Sequence, residues 1–120
     1  MSFMKRDQGK KGDAPVIDPV ALAVEQLRRA GADPAMPHQT RHFIYVPGVK
    51  PAQQLAHLLK NSKRDVEIDT SARKGYWLVV VRQSMAVNRD AMAALQAELE
   101  SAATPLGGEY DRWQVDVAGG

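Results

Sequence analysis

Apolar positions along this chain change their period several times, and each change marks a new element. Val20, Val24 and Leu27 recur at helical spacing behind Asp18 and Pro19, a pair suited to an N-cap and first helical position, until Gly31 ends the run. After a loop with two prolines, residues 41–46 read RHFIYV, a β-rich run that stops at Pro47 and Gly48. Pro51 opens a second helical stripe of Ala52, Leu55, Ala56 and Leu59. Residues 65–70 alternate strictly, with Val66 and Ile68 on one face and Asp65, Glu67 and Asp69 on the other, which predicts a half-buried strand. A turn, SARKG, precedes a third strand over residues 76–82. A third helix begins near Asn88, lines up Met92, Leu95, Leu99 and Ala102, and ends over residues 105–108. The last strand covers about residues 109–117.

Behind the first helix, the order strand, helix, strand, strand, helix, strand is that of a ferredoxin-like βαββαβ sandwich, an α+β fold with a four-stranded antiparallel sheet. Its first and third strands lie centrally and should be apolar on both faces. HFIYV and YWLVVV meet that demand, whereas VEIDT carries acids as an edge strand should. Parity then sends Ile44, Val46, Val66, Ile68, Trp77, Val79, Val81, Trp113, Val115 and Val117 towards the helices. Phe43, Tyr45, Tyr76, Leu78, Val80, Tyr110 and Arg112 fall on the open face. Such an apolar face calls for a cover, supplied by the first helix, by a second copy in a homodimer, or by stacked nucleobases.

A length of 120 residues suits one domain, here expected over residues 18–120 with its core at 40–117, behind a mobile basic leader at 1–17. Residues 1–13 hold four basic and two acidic side chains and so account for the whole net charge of +2. The absence of cysteine excludes disulfides, thiolate metal sites and thiol nucleophiles. The apolar run at residues 76–81 is far short of the roughly 20 residues of a membrane span, and the start lacks an apolar signal core; a cytoplasmic protein with no membrane contact is expected.

Candidate chemistry is sparse. His38 and His42 stand four apart, but Pro37 and the strand that follows are incompatible with the helix that would make this a metal-ligand pair, and no carboxylate cluster accompanies them. Ser62, Ser71, Ser84 and Ser101 fall at expected ends and turns, outside any GxSxG elbow. No phosphate-binding glycine loop occurs, and Gly107 and Gly108 have the look of a helix C-cap. The expectation is therefore a non-enzymatic protein with no cofactor and no metal. Residues 74–81, KGYWLVVV, match part of the RNA-binding signature of this topology, leaving Tyr45 and Tyr76 as stacking rings. Asp65, Glu67 and Asp69 on the same face would repel phosphates, so direct RNA binding is the lesser reading.

The most specific string is GGEYDRWQVDV at residues 107–117. A glycine-ended helix followed by Tyr110, Asp111, one residue and Trp113 resembles the closing box of the B-type regulators of ribonuclease E activity (RraB-like family). The resemblance spans about residues 41–117, with Arg112 where that box has glycine. It implies a ferredoxin-like fold, no catalysis, and a regulator whose protein partner is an endoribonuclease. Gly108, Tyr110, Asp111 and Trp113 carry the resemblance, either as structural residues or as partner contacts. In the structural version Trp113 anchors the core, and Asp111 accepts hydrogen bonds from backbone or Arg82. Phe43, Tyr45, Tyr76 and Leu78 form the candidate interaction face.

Overall fold

A computed structural model describes residues 18–117; the expected basic leader at 1–17 lies outside the described residues. The elements are α1 (Pro19–Arg29), β1 (His38–Val46), α2 (Val49–Leu59), β2 (Arg64–Thr70), β3 (Trp77–Met85), α3 (Arg89–Ala103) and β4 (Glu109–Val115). The strands form one antiparallel sheet in the order β2-β3-β1-β4. This is the ferredoxin-like order, with β1 and β3 central and the acidic β2 at an edge.

Local chemistry sets the helix ends. The Asp18 carboxylate accepts from the Val20 amide at 3.0 Å, and Asn88 does the same for Ala91 at 2.8 Å, each satisfying an amide that the first helical turn leaves unpaired. Helix α2 starts at Val49, two residues before Pro51. A proline is tolerated there because a first-turn amide has no helical acceptor to lose. At the far end of α3, Gly107 takes φ +77 and the Gly108 amide donates to the Ala103 carbonyl at 2.9 Å. A Cβ built on Gly108 would stand 2.9 Å from the Ala103 Cβ, so this position has no room for a side chain.

The main core lies between the sheet and the pair α2 and α3. Ala52, Leu55 and Leu59 from α2 and Leu95, Leu99 and Ala103 from α3 close over Ile44, Val46, Val79 and Val81. Burial of each leucine contributes about 1.5–3 kcal/mol. Arg64 ties the β2 edge to this layer: its nearly buried side chain donates to Gln83 Oε1 at 2.9 Å and to Glu98 Oε2 on α3 at 2.9 Å.

Strands β1 and β3 extend beyond the apolar runs that announced them, pairing continuously from His38 with Met85 to Val46 with Trp77. Ser84 therefore lies within a strand rather than at an end. Beside this end of the sheet, on the helix-facing side, α1 packs over β4 and the residues that follow β3. Ala23 and Leu27 are buried there with Val87, against Val24, Trp113 and Val115. Helix α1 thus joins the helical layer and does not cover the open face. Its buried stripe is Ala23 and Leu27, with Val24 only partly buried, in place of the Val20, Val24 and Leu27 set. An ion pair between Asp18 and Arg89 links the starts of α1 and α3. Val117, expected to face the helices, lies beyond the end of β4 and is exposed.

Candidate functional site

The open face presents Phe43, Tyr45, Leu78 and Val80 from the two central strands, with Tyr76 at the entrance to β3. Uncovered by any helix among the described residues, Phe43 and Val80 are nevertheless only 9% and 7% exposed. Arginine side chains from the neighbouring elements shelter the rings of this face. Arg112, opposite Phe43 in register, lays its guanidinium 4.3 Å from the Phe43 ring centre. Arg73, in the turn between β2 and β3, sits 3.8 Å from the Tyr76 ring centre and 5.5 Å from that of Tyr45. Guanidinium groups are weakly hydrated and stack on aromatic rings while their edges stay wet, so they cover apolar surface without leaving a dry patch.

Three arginines of this face are paired with acids. Arg73 forks onto Glu109 at 2.9 and 3.2 Å, Arg82 pairs with Glu67 at 2.8 Å, and Arg41 pairs with Asp116 at 2.9 Å. The Arg73 guanidinium beside it holds the Glu109 carboxyl below the usual range. Glu67 in turn raises Arg82. Asp65 and Asp69 complete an exposed acidic row on β2. The apolar patch that called for a covering helix or a second copy is thus largely screened by the chain's own arginines.

The closing strand differs from simple alternation at one point. Phe43 pairs with Arg112 while the next residue, Ile44, pairs with Tyr110, so the register shifts and Asp111 is the extra residue of a β-bulge. The bulge turns Tyr110 towards the helices, correcting its placement on the open face, and leaves Trp113 facing them too, opposite His42. Trp113 is half-buried beneath α1. Asp111 is exposed and approaches Arg112 at 3.5 Å; the expected partner Arg82 belongs to Glu67.

With Tyr110 turned inward, a buried polar chain forms that sequence reasoning missed. Thr40 and His42 are both fully buried on the helix-facing side of β1. The Thr40 hydroxyl donates to the Gln83 carbonyl at 2.8 Å, which can only accept. Thr40 Oγ1 must then accept from His42 Nε2–H at 2.9 Å, which leaves Nδ1 as a lone pair to accept from the Tyr110 hydroxyl at 2.9 Å. The terminal carbonyl therefore fixes the tautomer of the histidine. Burial, aided by the positive charge of Arg64, pushes the His42 pKa down to about 4, so the ring is neutral near pH 7. Burial raises that of the Tyr110 phenol. The only signal in the sequence was a polar pair, Thr40 and His42, in phase with Ile44 and Val46; the bulge that completes the chain leaves no mark in composition or periodicity.

His38 donates to the Asp33 carbonyl at 2.7 Å and lies about 13 Å along the strand from His42, by the usual rise per residue. No group of three or more His, Asp or Glu side chains converges as a metal site among the described residues. No helix among them is long and apolar enough to cross a membrane. A cleft of about 760 Å³ runs between α1 and the start of α3, lined by Val20, Val24 and Val87 among others, and contains none of the candidate interaction or closing-box residues.

Fold and faces together define the class: an α+β sandwich of the ferredoxin-like kind, with one face covered by three helices and the other open and lined by paired arginines and acids. The family model for regulator of ribonuclease activity B matches residues 21–115, from the first turn of α1 to the end of β4. The chain belongs to that family, which is one of regulators rather than enzymes. No curated protein sequence matches it.

Proposed function

We propose that this chain is a non-catalytic, cytoplasmic regulator that binds an endoribonuclease of the ribonuclease E type and modulates its cleavage of RNA by protein contact. The observation that carries the reading is the family match across the whole sheet and all three helices. Phe43, Tyr45, Tyr76 and Leu78 lie on the face of the sheet that no helix among the described residues occupies, and we assign the partner contact to that face. Paired charges around partly apolar rings suit a protein interface with a polar rim. Gly108, Tyr110 and Trp113 act in this reading by fixing the shape of β4, and exposed Asp111 and Arg112 are the members of the closing box available to a partner. Base stacking on Tyr45 and Tyr76 is disfavoured by the acidic row on β2, which would face a phosphate backbone.

The test is direct. Stoichiometric purified chain should co-elute with the ribonuclease and slow its cleavage of a fluorogenic RNA, and Leu78→Lys should weaken both effects while leaving the melting temperature within a few degrees of the parent. An unchanged cleavage rate without co-elution would refute the reading. Salt-sensitive binding of single-stranded RNA by the chain alone, lost in Tyr76→Ala, would favour the stacking alternative instead.

A further inference from the structure

We propose that Tyr45, Tyr76 and Glu109 form a guanidinium-binding cage, plugged in the free protein by the chain's own Arg73 and filled by an arginine side chain of a protein partner when that partner docks. The proposal rests on the open face being the partner surface. Everything needed to recognise a guanidinium converges at this end of the sheet. Two aromatic rings lie 3.8 and 5.5 Å from the Arg73 Cζ, and both terminal nitrogens donate to the two oxygens of one carboxylate at 2.9 and 3.2 Å. A planar fork of this kind fits arginine and not the point charge of lysine.

The cage and its plug have different origins. Tyr45 and Glu109 are cross-strand partners in β1 and β4, and Tyr76 is next to the first residue of β3, so the sheet sets the cage. Arg73 comes from the turn between β2 and β3, where the Ser71 hydroxyl accepts from its amide at 2.9 Å and its carbonyl accepts from the Tyr76 amide at 3.1 Å. The Arg73 and Glu109 side chains remain 42% and 57% exposed. Cation–π contacts and ion pairs this exposed to water are individually weak, so the plug is held loosely enough for a competing arginine to displace. Removal of Arg73 leaves Glu109 without its cation and the acidic Asp69 on the same face, a charge complement for a cationic side chain.

The experiment uses the full chain and an acetylated, amidated Gly-Arg-Gly peptide as probe, read by the NMR shifts of the Tyr45 and Tyr76 rings. Arg73→Ala should bind the peptide at least about tenfold more tightly than the parent, since an intramolecular competitor at millimolar effective concentration has been removed. The corresponding lysine peptide should bind Arg73→Ala several-fold more weakly, and adding Glu109→Gln should abolish the arginine response. Equal responses in the parent and Arg73→Ala, or equal affinity for the arginine and lysine peptides, would overturn the cage. Ribonuclease restraint is measured on the same samples. Restraint without peptide binding removes the cage and leaves the regulator reading standing; peptide binding without restraint supports the site and removes the regulator.

Discussion

Acidification should destabilise this fold through one buried imidazole. His42 is fully buried and accepts one hydrogen bond and donates another in its neutral form, and its pKa falls to about 4 against an ordinary value of 6.5. In the unfolded chain the ring takes up a proton below pH 6.5, while the native ring resists until about pH 4. The contribution to stability is therefore complete above pH 6.5 and is lost as pH falls from 6.5 to 4. At about 1.36 kcal/mol per pH unit, the loss is about 2 kcal/mol at pH 5 and about 3 kcal/mol at pH 4. Urea denaturation of the full chain at half-unit steps from pH 7.5 to 4.5 would measure it. His42→Gln keeps a donor and an acceptor, so it should be less stable than the parent at pH 7.5, by about 1–3 kcal/mol, but nearly flat down to pH 5. Parallel loss of stability in both proteins over this window would refute the argument. The depressed carboxyls of Asp18 and Glu109 act lower, since stability held by a lowered carboxyl is lost only below the ordinary carboxylate range.

Other outcomes follow from the packing. Leu27→Ala, at a fully buried position on the inner face of α1, should cost about 2–5 kcal/mol in urea denaturation and speed amide exchange throughout that helix. Gly108→Ala should lower stability by about 1–3 kcal/mol, because its Cβ would meet Ala103 at 2.9 Å; an unchanged melting temperature would show that the α3–β4 connection can shift. Tyr110→Phe removes the donor to His42 Nδ1 and should cost about 1–2 kcal/mol, with the nitrogen shift of His42 moving in an NMR spectrum. Arg112→Ala should raise the solvent exposure of Phe43 and cost under about 1 kcal/mol, since an exposed cation–π contact is weak.

Apolar patterning, with proline, glycine and capping residues at the ends, located the three α-helices and four strands of the described residues, though β1 and β3 run beyond their apolar stretches, because apolar residues must repeat with the geometry that presents a face to the core. Strand order was also legible: two runs apolar on both sides had to be central, and the alternating acids of VEIDT had to lie at an edge. The GGEYDRW string pointed to the family that the match over residues 21–115 establishes. Three features needed the folded chain. Helix α1 could have covered either side of the sheet, since its stripe is apolar whichever surface it meets, and only the folded chain shows it on the helical side against Trp113 and Val115 of β4. Tyr110 changed faces because one residue, Asp111, bulges out of register, and period-two reasoning has no term for an inserted residue. The shelter of Phe43 and the plugging of the Tyr45–Tyr76 end come from Arg112 and Arg73, which are ordinary surface residues in the sequence. Sequence determines which face of each element must be buried, a local property of the chain. What fills the space above an open face depends on side chains brought from distant positions, and only tertiary structure decides that.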